Sequence, residues 1–223
     1  MRIEGDYRRD GYATIRGLVP PEVAATLFKQ IQLDLSAAGR TFGSFAQEHA
    51  LSKQPTIEIS GHFYRPLTTF LWGLTPVMSE LTGADLLPSY DYFRIYQKGD
   101  ICRVHSDRPS CEHSVSMAIA YSDDIAWPLE VGSVRVSGED PCEDDWGDEP
   151  HTGVAMQPGD AVLYSGIDLR HGRTQPNPNQ WSAHLFLFWV ERGGKFAEHA
   201  FDEHRLRSEL GKVYDLKPAA GAS

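Results

Sequence analysis

The chain has 223 residues, a formal net charge of −10, 41% apolar residues and 23% charged residues. That length supports one full-sized domain with a real core, and those proportions exclude an intrinsically disordered chain. The acidic excess speaks against a nucleic-acid partner, since phosphate backbones are held by clustered Lys and Arg, and no apolar run is long enough to span a bilayer.

The N-terminus is charged from its first residues and lacks the apolar stretch of a secretion signal, so the cytoplasm is the expected compartment. Tyr12-Ala-Thr-Ile-Arg alternates like a strand. A Gly17-Leu-Val-Pro-Pro turn follows, with Pro21 suited to the first turn of a helix. Val23, Leu27, Ile31 and Leu35 keep one face apolar and predict a helix over 23–35. Residues 44–56 are polar and carry no periodicity. A second helix is expected over 67–81, closed by Gly83.

From Ser89 the character changes. Tyr90-Asp-Tyr-Phe-Arg-Ile-Tyr is rich in strand formers and stops at Lys98-Gly-Asp. Short strands are then expected at 102–107, 114–121, 133–136, 161–164 and 182–190, a spacing that suits a sandwich or barrel. Residues 139–149 read as an exposed acidic loop, and 198–212 as a terminal helix with frayed last residues. Cys102, Cys111 and Cys142 are odd in number, have no metal-type spacing, and are expected to be reduced. The expected organisation is a single domain, with an N-terminal strand and helices in 1–85, a β core in 86–192 and a helical tail in 193–223.

His105-Ser-Asp107 lies on or just after a predicted strand, where residues two apart share a face. His171 follows the strand Asp160-Ala-Val-Leu-Tyr and offers a third ligand. Two histidines and one carboxylate occupy one face of an octahedron and leave the other positions open. An H-x-D pair alone is common, so its surroundings matter. His113 and His151 have no partner at ligand spacing, and His199 and His204 are five apart, off the spacing of a helical pair. Trp127 and Trp189 are candidates for a pocket wall. Glu112 is a candidate to pair with Arg108 and brace the ligand strand.

The stretch Tyr92-Phe-Arg-Ile-Tyr-Gln-Lys-Gly-Asp-Ile-Cys-Arg-Val-His-Ser-Asp107-Arg-Pro resembles the iron(II)/2-oxoglutarate-dependent oxygenase superfamily, in its prolyl-hydroxylase-like branch. There a strand ending in Tyr and a Gly-Asp turn lead into the H-x-D strand. Met156-Gln-Pro-Gly-Asp-Ala-Val-Leu-Tyr-Ser-Gly-Ile-Asp-Leu-Arg-His171-Gly-Arg173 is similar to the second motif of that superfamily, in which a P-G-D turn starts the strand that delivers the distal histidine. Asp10-Gly-Tyr-Ala-Thr-Ile-Arg-Gly-Leu-Val resembles its N-terminal start.

The resemblance implies a mainly β fold with flanking helices around a double-stranded β-helix (jelly-roll, cupin-like) core. It implies Fe(II) on His105, Asp107 and His171, with 2-oxoglutarate and O2 as co-substrates and succinate and CO2 released. It also implies a hydroxyl contact to the co-substrate from Tyr96. The family places an Arg or Lys about ten residues after the distal histidine, but Gln180, Trp181 and Ser182 stand there. Arg173 is the best substitute and Arg94 its rival, while Ser182 and His184 could point inward. The expected activity is oxidation of an unactivated C–H bond of a small molecule. The alternatives are hydroxylation of a protein side chain within a peptide substrate, or a non-catalytic metal- or ligand-binding β-helix protein.

Overall fold

The computed structural model describes residues 1–136 and 141–202. Its elements in chain order are β1 (Arg2–Gly5), α1 (Tyr7–Asp10), β2 (Tyr12–Arg16), α2 (Pro21–Ala37), β3 (Ala46–Gln47), β4 (Thr56–Ser60) and α3 (Arg65–Thr82). The strands β5 (Leu86–Gln97), β6 (Cys102–His105), β7 (His113–Tyr121), β8 (Leu129–Arg135), β9 (His151–Val154), β10 (Ala161–Tyr164), β11 (Leu169–Arg173) and β12 (Trp181–Glu191) complete it. They form an eight-stranded sheet ordered β1-β2-β10-β7-β12-β5-β4-β3 and a four-stranded sheet ordered β6-β11-β8-β9. All pairings are antiparallel, and the two sheets enclose a jelly-roll core.

The large sheet is covered on both faces. Along β12, Ala183, Leu185, Leu187 and Trp189 join a core with Ala24, Ile31 and Leu35 of α2 and Leu67, Leu71 and Met78 of α3. The alternate residues Phe186 and Phe188 join a second core with Cys102, Leu129, Val131 and Leu169 of the small sheet. Period-two alternation therefore separates two interiors instead of a wet face from a dry one. His184 and Ser182, both fully buried, belong to the inter-sheet side by the same alternation.

Helix α2 extends beyond 23–35 at both ends, with Pro21 in its first turn, and buries Ala24, Ile31 and Leu35 while Val23 stays exposed. Of the expected stripe, Ile31 and Leu35 are buried and Leu27 packs on the core, while Ala24 takes the covered place expected of Val23. Helix α3 ends where expected, at Gly83, whose φ of 74° is reached without strain only by glycine. Five strands were not foreseen, β1, β3, β4, β9 and β11. Strand β4 carries Glu58 among its apolar residues, β9 is short and exposed, and β11 reads Leu-Arg-His-Gly-Arg, a composition without strand formers apart from its first residue. The acidic loop is not wholly exposed: Trp146 is buried, stacks on His151 and donates its indole N–H to Glu130 at 2.8 Å. Of the expected terminal helix, Ala197–Asp202 forms 3-10 turns broken at Ala200 and Phe201, and residues 203–212 lie outside the described residues.

Replacing Ile31 by Ala should lower unfolding free energy by about 2–5 kcal/mol, because the cavity opens between α2 and the sheet. Val23→Ala, on the wet side of the same helix, should change it by less than about 0.5 kcal/mol. Urea denaturation followed by circular dichroism measures both.

Candidate metal centre and its cavities

Strands β6 and β11 pair so that His105 and His171 lie directly opposite one another. Their rings are 4.4 Å apart between centroids. Asp107, just beyond the end of β6, sits between them: His105 Nε2 is 3.6 Å from Oδ1 and His171 Nε2 is 3.6 Å from Oδ2. One ligand atom from each residue lies within 4.8 Å of the other two, so the three form a group able to hold a metal ion.

Each imidazole is set in the tautomer a metal requires. His105 Nδ1 is 2.7 Å from the carbonyl of Arg103, and His171 Nδ1 is 3.0 Å from that of Leu169. A carbonyl only accepts, so both Nδ1 atoms carry the proton and both Nε2 atoms offer lone pairs. Burial pushes the pKa of His171 down to about 4, which keeps it neutral at physiological pH. Burial works against the charge of Asp107, but His171 and His105 outweigh it and draw its pKa below the usual carboxylate value. The Asp107 N–H donates to Gly166 O at 2.8 Å, and the Ser114 hydroxyl donates to Oδ2 at 3.2 Å.

A cavity of about 440 Å³ opens beside His105 and Asp107, walled by His49, Glu58, His62, Tyr90 and Asp91 among others. A narrower one between the sheets is lined by the triad with Arg94, Tyr96 and Arg173. Arg173 is 1% exposed. Its Nη2 is 3.1 Å from Ser116 Oγ and 3.4 Å from His184 Nδ1, and its guanidinium lies 5.2 Å from the Trp127 ring centroid. Arg173 Nε and Nη1 and His184 Nε2 are buried without a hydrogen-bond partner among the described residues. Burial, then the charge of Arg173, holds His184 neutral, well below the ordinary histidine pKa.

Arg94 is buried as well, but it pairs with Glu58, donates to the Tyr96 hydroxyl at 3.2 Å and lies 4.8 Å from the Tyr92 ring centroid. Ser182 points inward, but its hydroxyl donates to Asn177 Oδ1 at 2.7 Å. One expectation is corrected: Trp189 faces α3, where its indole N–H reaches Thr75, and it belongs to the helix-side core. Glu112 accepts the backbone N–H of Glu191 at 2.8 Å, which ties the start of β7 to the end of β12. Cys102 and Cys111 are buried, Cys142 is exposed, and all three are free.

His49, Glu58, His62 and Asp91 were not foreseen at the cavity. The segment bearing His49 is held to the metal strand by Arg103, whose N–H donates to Leu51 O at 2.8 Å and whose Nη1 reaches Ala50 O at 2.6 Å. These bonds span about fifty residues of chain, and no local pattern announces them. Burial pushes the Asp91 carboxyl up to about 6.

Gly166 is where the metal carboxylate is most sensitive. A Cβ there would stand 2.5 Å from Asp107 Oδ2 and 2.4 Å from Ser114 Oγ. Gly166→Ala should therefore displace Asp107 and weaken metal binding at the triad by roughly 10- to 100-fold, as losses of ligand support do. Metal titration measures the change, with circular dichroism confirming an intact fold.

No protein-family model and no curated protein matches the chain. Solved structures do. A prolyl-4-hydroxylase from Pseudomonas putida aligns at a TM-score of 0.58 and 13% identity, over 84% of this chain and 96% of that one. The epimerase SnoN in complex with Fe3+, alpha ketoglutarate and nogalamycin RO gives 0.60 and 12%, over 83% and 80%. EctD from S. alaskensis with 2-oxoglutarate and 5-hydroxyectoine gives 0.59 and 15%, over 84% and 74%. No helix among the described residues is long and apolar enough to cross a membrane. The chain shares the fold of these solved structures.

Proposed function

We propose that the protein is an iron(II)- and 2-oxoglutarate-dependent oxygenase that oxidises an unactivated C–H bond of a small molecule. The observation that carries the proposal is Arg173, a guanidinium buried within the triad's own cavity with Nε and Nη1 unpartnered. A buried cation without a counterion is costly, and a dicarboxylate bound to the metal brings the missing charge.

The donor set fits the metal. Two imidazoles and one carboxylate on one side of the site are the set used for non-haem Fe(II). With iron and the keto acid bound, the pair supplies oxygen activation and releases succinate and CO2. The chain's own residues bind and orient. His105, Asp107 and His171 hold the metal. Arg173 receives the far carboxylate of 2-oxoglutarate by a charge-assisted pair, with Ser116 and His184 beside it. Tyr96 and Arg94 wall the same space, with Arg94 already neutralised by Glu58. The substrate lies in the cavity of about 440 Å³, within the range of small-ligand pockets. SnoN and EctD, which share this fold, were solved with small molecules, nogalamycin RO and 5-hydroxyectoine.

Anaerobic Fe(II) loading followed by 2-oxoglutarate titration should produce a saturable visible charge-transfer band that His171→Ala abolishes together with iron binding. Bound iron without a band would reject the co-substrate, and tight iron binding by His171→Ala would reject the ligand set. Arg173→Gln should raise the 2-oxoglutarate concentration at half-saturation by roughly 30-fold or more, the cost of removing one partner of a buried charge pair, while leaving iron affinity unchanged. A larger effect from Arg94→Gln would move the anchor to β5.

A further inference from the structure

Away from both cavities, the fold assembles a second group of ligand-type side chains that are dispersed in the sequence. Glu112 and His113 stand at the start of β7, and Glu191 ends β12. The two strands pair with Trp189 opposite His113. One ligand atom from each of the three residues lies within 4.8 Å of the other two. The expectation that His113 lacks a partner is thereby overturned, by a contact across 78 residues of chain.

The histidine is what distinguishes this group from an ordinary acidic cluster. His113 is 7% exposed, and its Nε2 is buried with no hydrogen-bond partner among the described residues. That atom stands 3.6 Å from Glu191 Oε1, too far for a hydrogen bond. It is the separation found between each triad imidazole and Asp107. Two ligand atoms each about 2.1 Å from one ion, at tetrahedral positions, sit roughly 3.4 Å apart. The other ring nitrogen is engaged: Nδ1 is 2.6 Å from the hydroxyl of Tyr7, a support that orients the ring as outer partners orient metal-bound imidazoles. Glu112 is oriented too, through the Glu191 N–H on its Oε2.

Charge points the same way. Asp168 is neutralised by Arg135 at 2.8 Å, and Lys195 is the cation acting on Glu112. A divalent cation would satisfy both carboxylates and the orphaned Nε2 at once.

We propose that Glu112, His113 and Glu191 form a second divalent-metal site, with zinc the best match to one imidazole and two carboxylates. It pins the start of β7 to the end of β12 and, through Tyr7, to the N-terminal helix α1. None of its residues lines either cavity beside the triad, so its role is structural and independent of the iron centre.

The test is calorimetric titration of the chelator-stripped chain with Zn2+. The wild-type chain should bind two equivalents. His171→Ala should remove one, and Glu191→Gln, a change on a half-exposed side chain that keeps the backbone bond to Glu112, should remove the other. His113→Gln should repeat the loss. Zinc should also raise the melting temperature of His171→Ala but not of His171→Ala/Glu191→Gln. Unchanged stoichiometry in Glu191→Gln overturns the proposal. A single wild-type equivalent that disappears in Glu191→Gln and survives His171→Ala upholds it and counts against the iron triad instead.

Discussion

The antiparallel contact between β6 and β11 is the constraint on which the site depends. It sets His105 across from His171, so two imidazoles meet by backbone register and neither needs a loop to reach the other. The strands approach closely because Gly172 follows His171: a Cβ there would stand 2.8 Å from Cys102 O and 3.1 Å from Arg103 O. The register then shifts, and Arg173 falls opposite Cys102. One irregularity thus places a metal-type ligand and a buried guanidinium two residues apart on one short strand. Their common cavity follows from that spacing.

Such a polar interior has to be stabilised elsewhere. Ser114, Ser116, His184 and Arg173 are all nearly inaccessible and lie on the inter-sheet side, where they add little to the hydrophobic drive. The opposite face of the large sheet carries the compensating term. There β5, β7, β10 and β12 present Phe93, Ile95, Val115, Met117, Leu163, Leu185 and Leu187 to α2 and α3. The helices therefore serve the site at a distance. By burying the outer face they hold rigid the strands whose inner face carries the candidate site.

What was legible in the sequence was what is local. The Gly-Asp and Pro-Gly-Asp turns mark the starts of β6 and β10, and Gly99 and Gly159 adopt the positive φ of 76° and 92° that such turns need. With them came the strand ends and the triad residues, and Gly83 marked the end of α3. The rest is set by tertiary contacts. Strand β11 exists because β6 and β8 flank it, whatever its weak propensity. Strand β4 and His49 depend on pairing with β5 and on Arg103. Val23 fits an apolar stripe as well as Ala24 does, and only the sheet decides which is covered. Glu191 lies 78 residues from His113, so no spacing rule links them.

Two buried arginines show why geometry alone does not identify an anchor. Arg94 and Arg173 are similarly inaccessible and line the same inter-sheet cavity. Before any ligand arrives, Arg94 has Glu58 as its counterion, a tyrosine hydroxyl on Nη1 and an aromatic ring against its plane. A second carboxylate there would meet a charge already spent and the repulsion of Glu58. Arg173 has a serine hydroxyl, a neutral imidazole and a tryptophan face, none of which carries charge, and two of its nitrogens stay unpartnered. A fold retains an uncompensated cation at that depth only where something else completes it. It shares that cavity with the two imidazoles and the carboxylate of the triad, and this contrast with Arg94 is why the proposed co-substrate anchor is Arg173 and not Arg94.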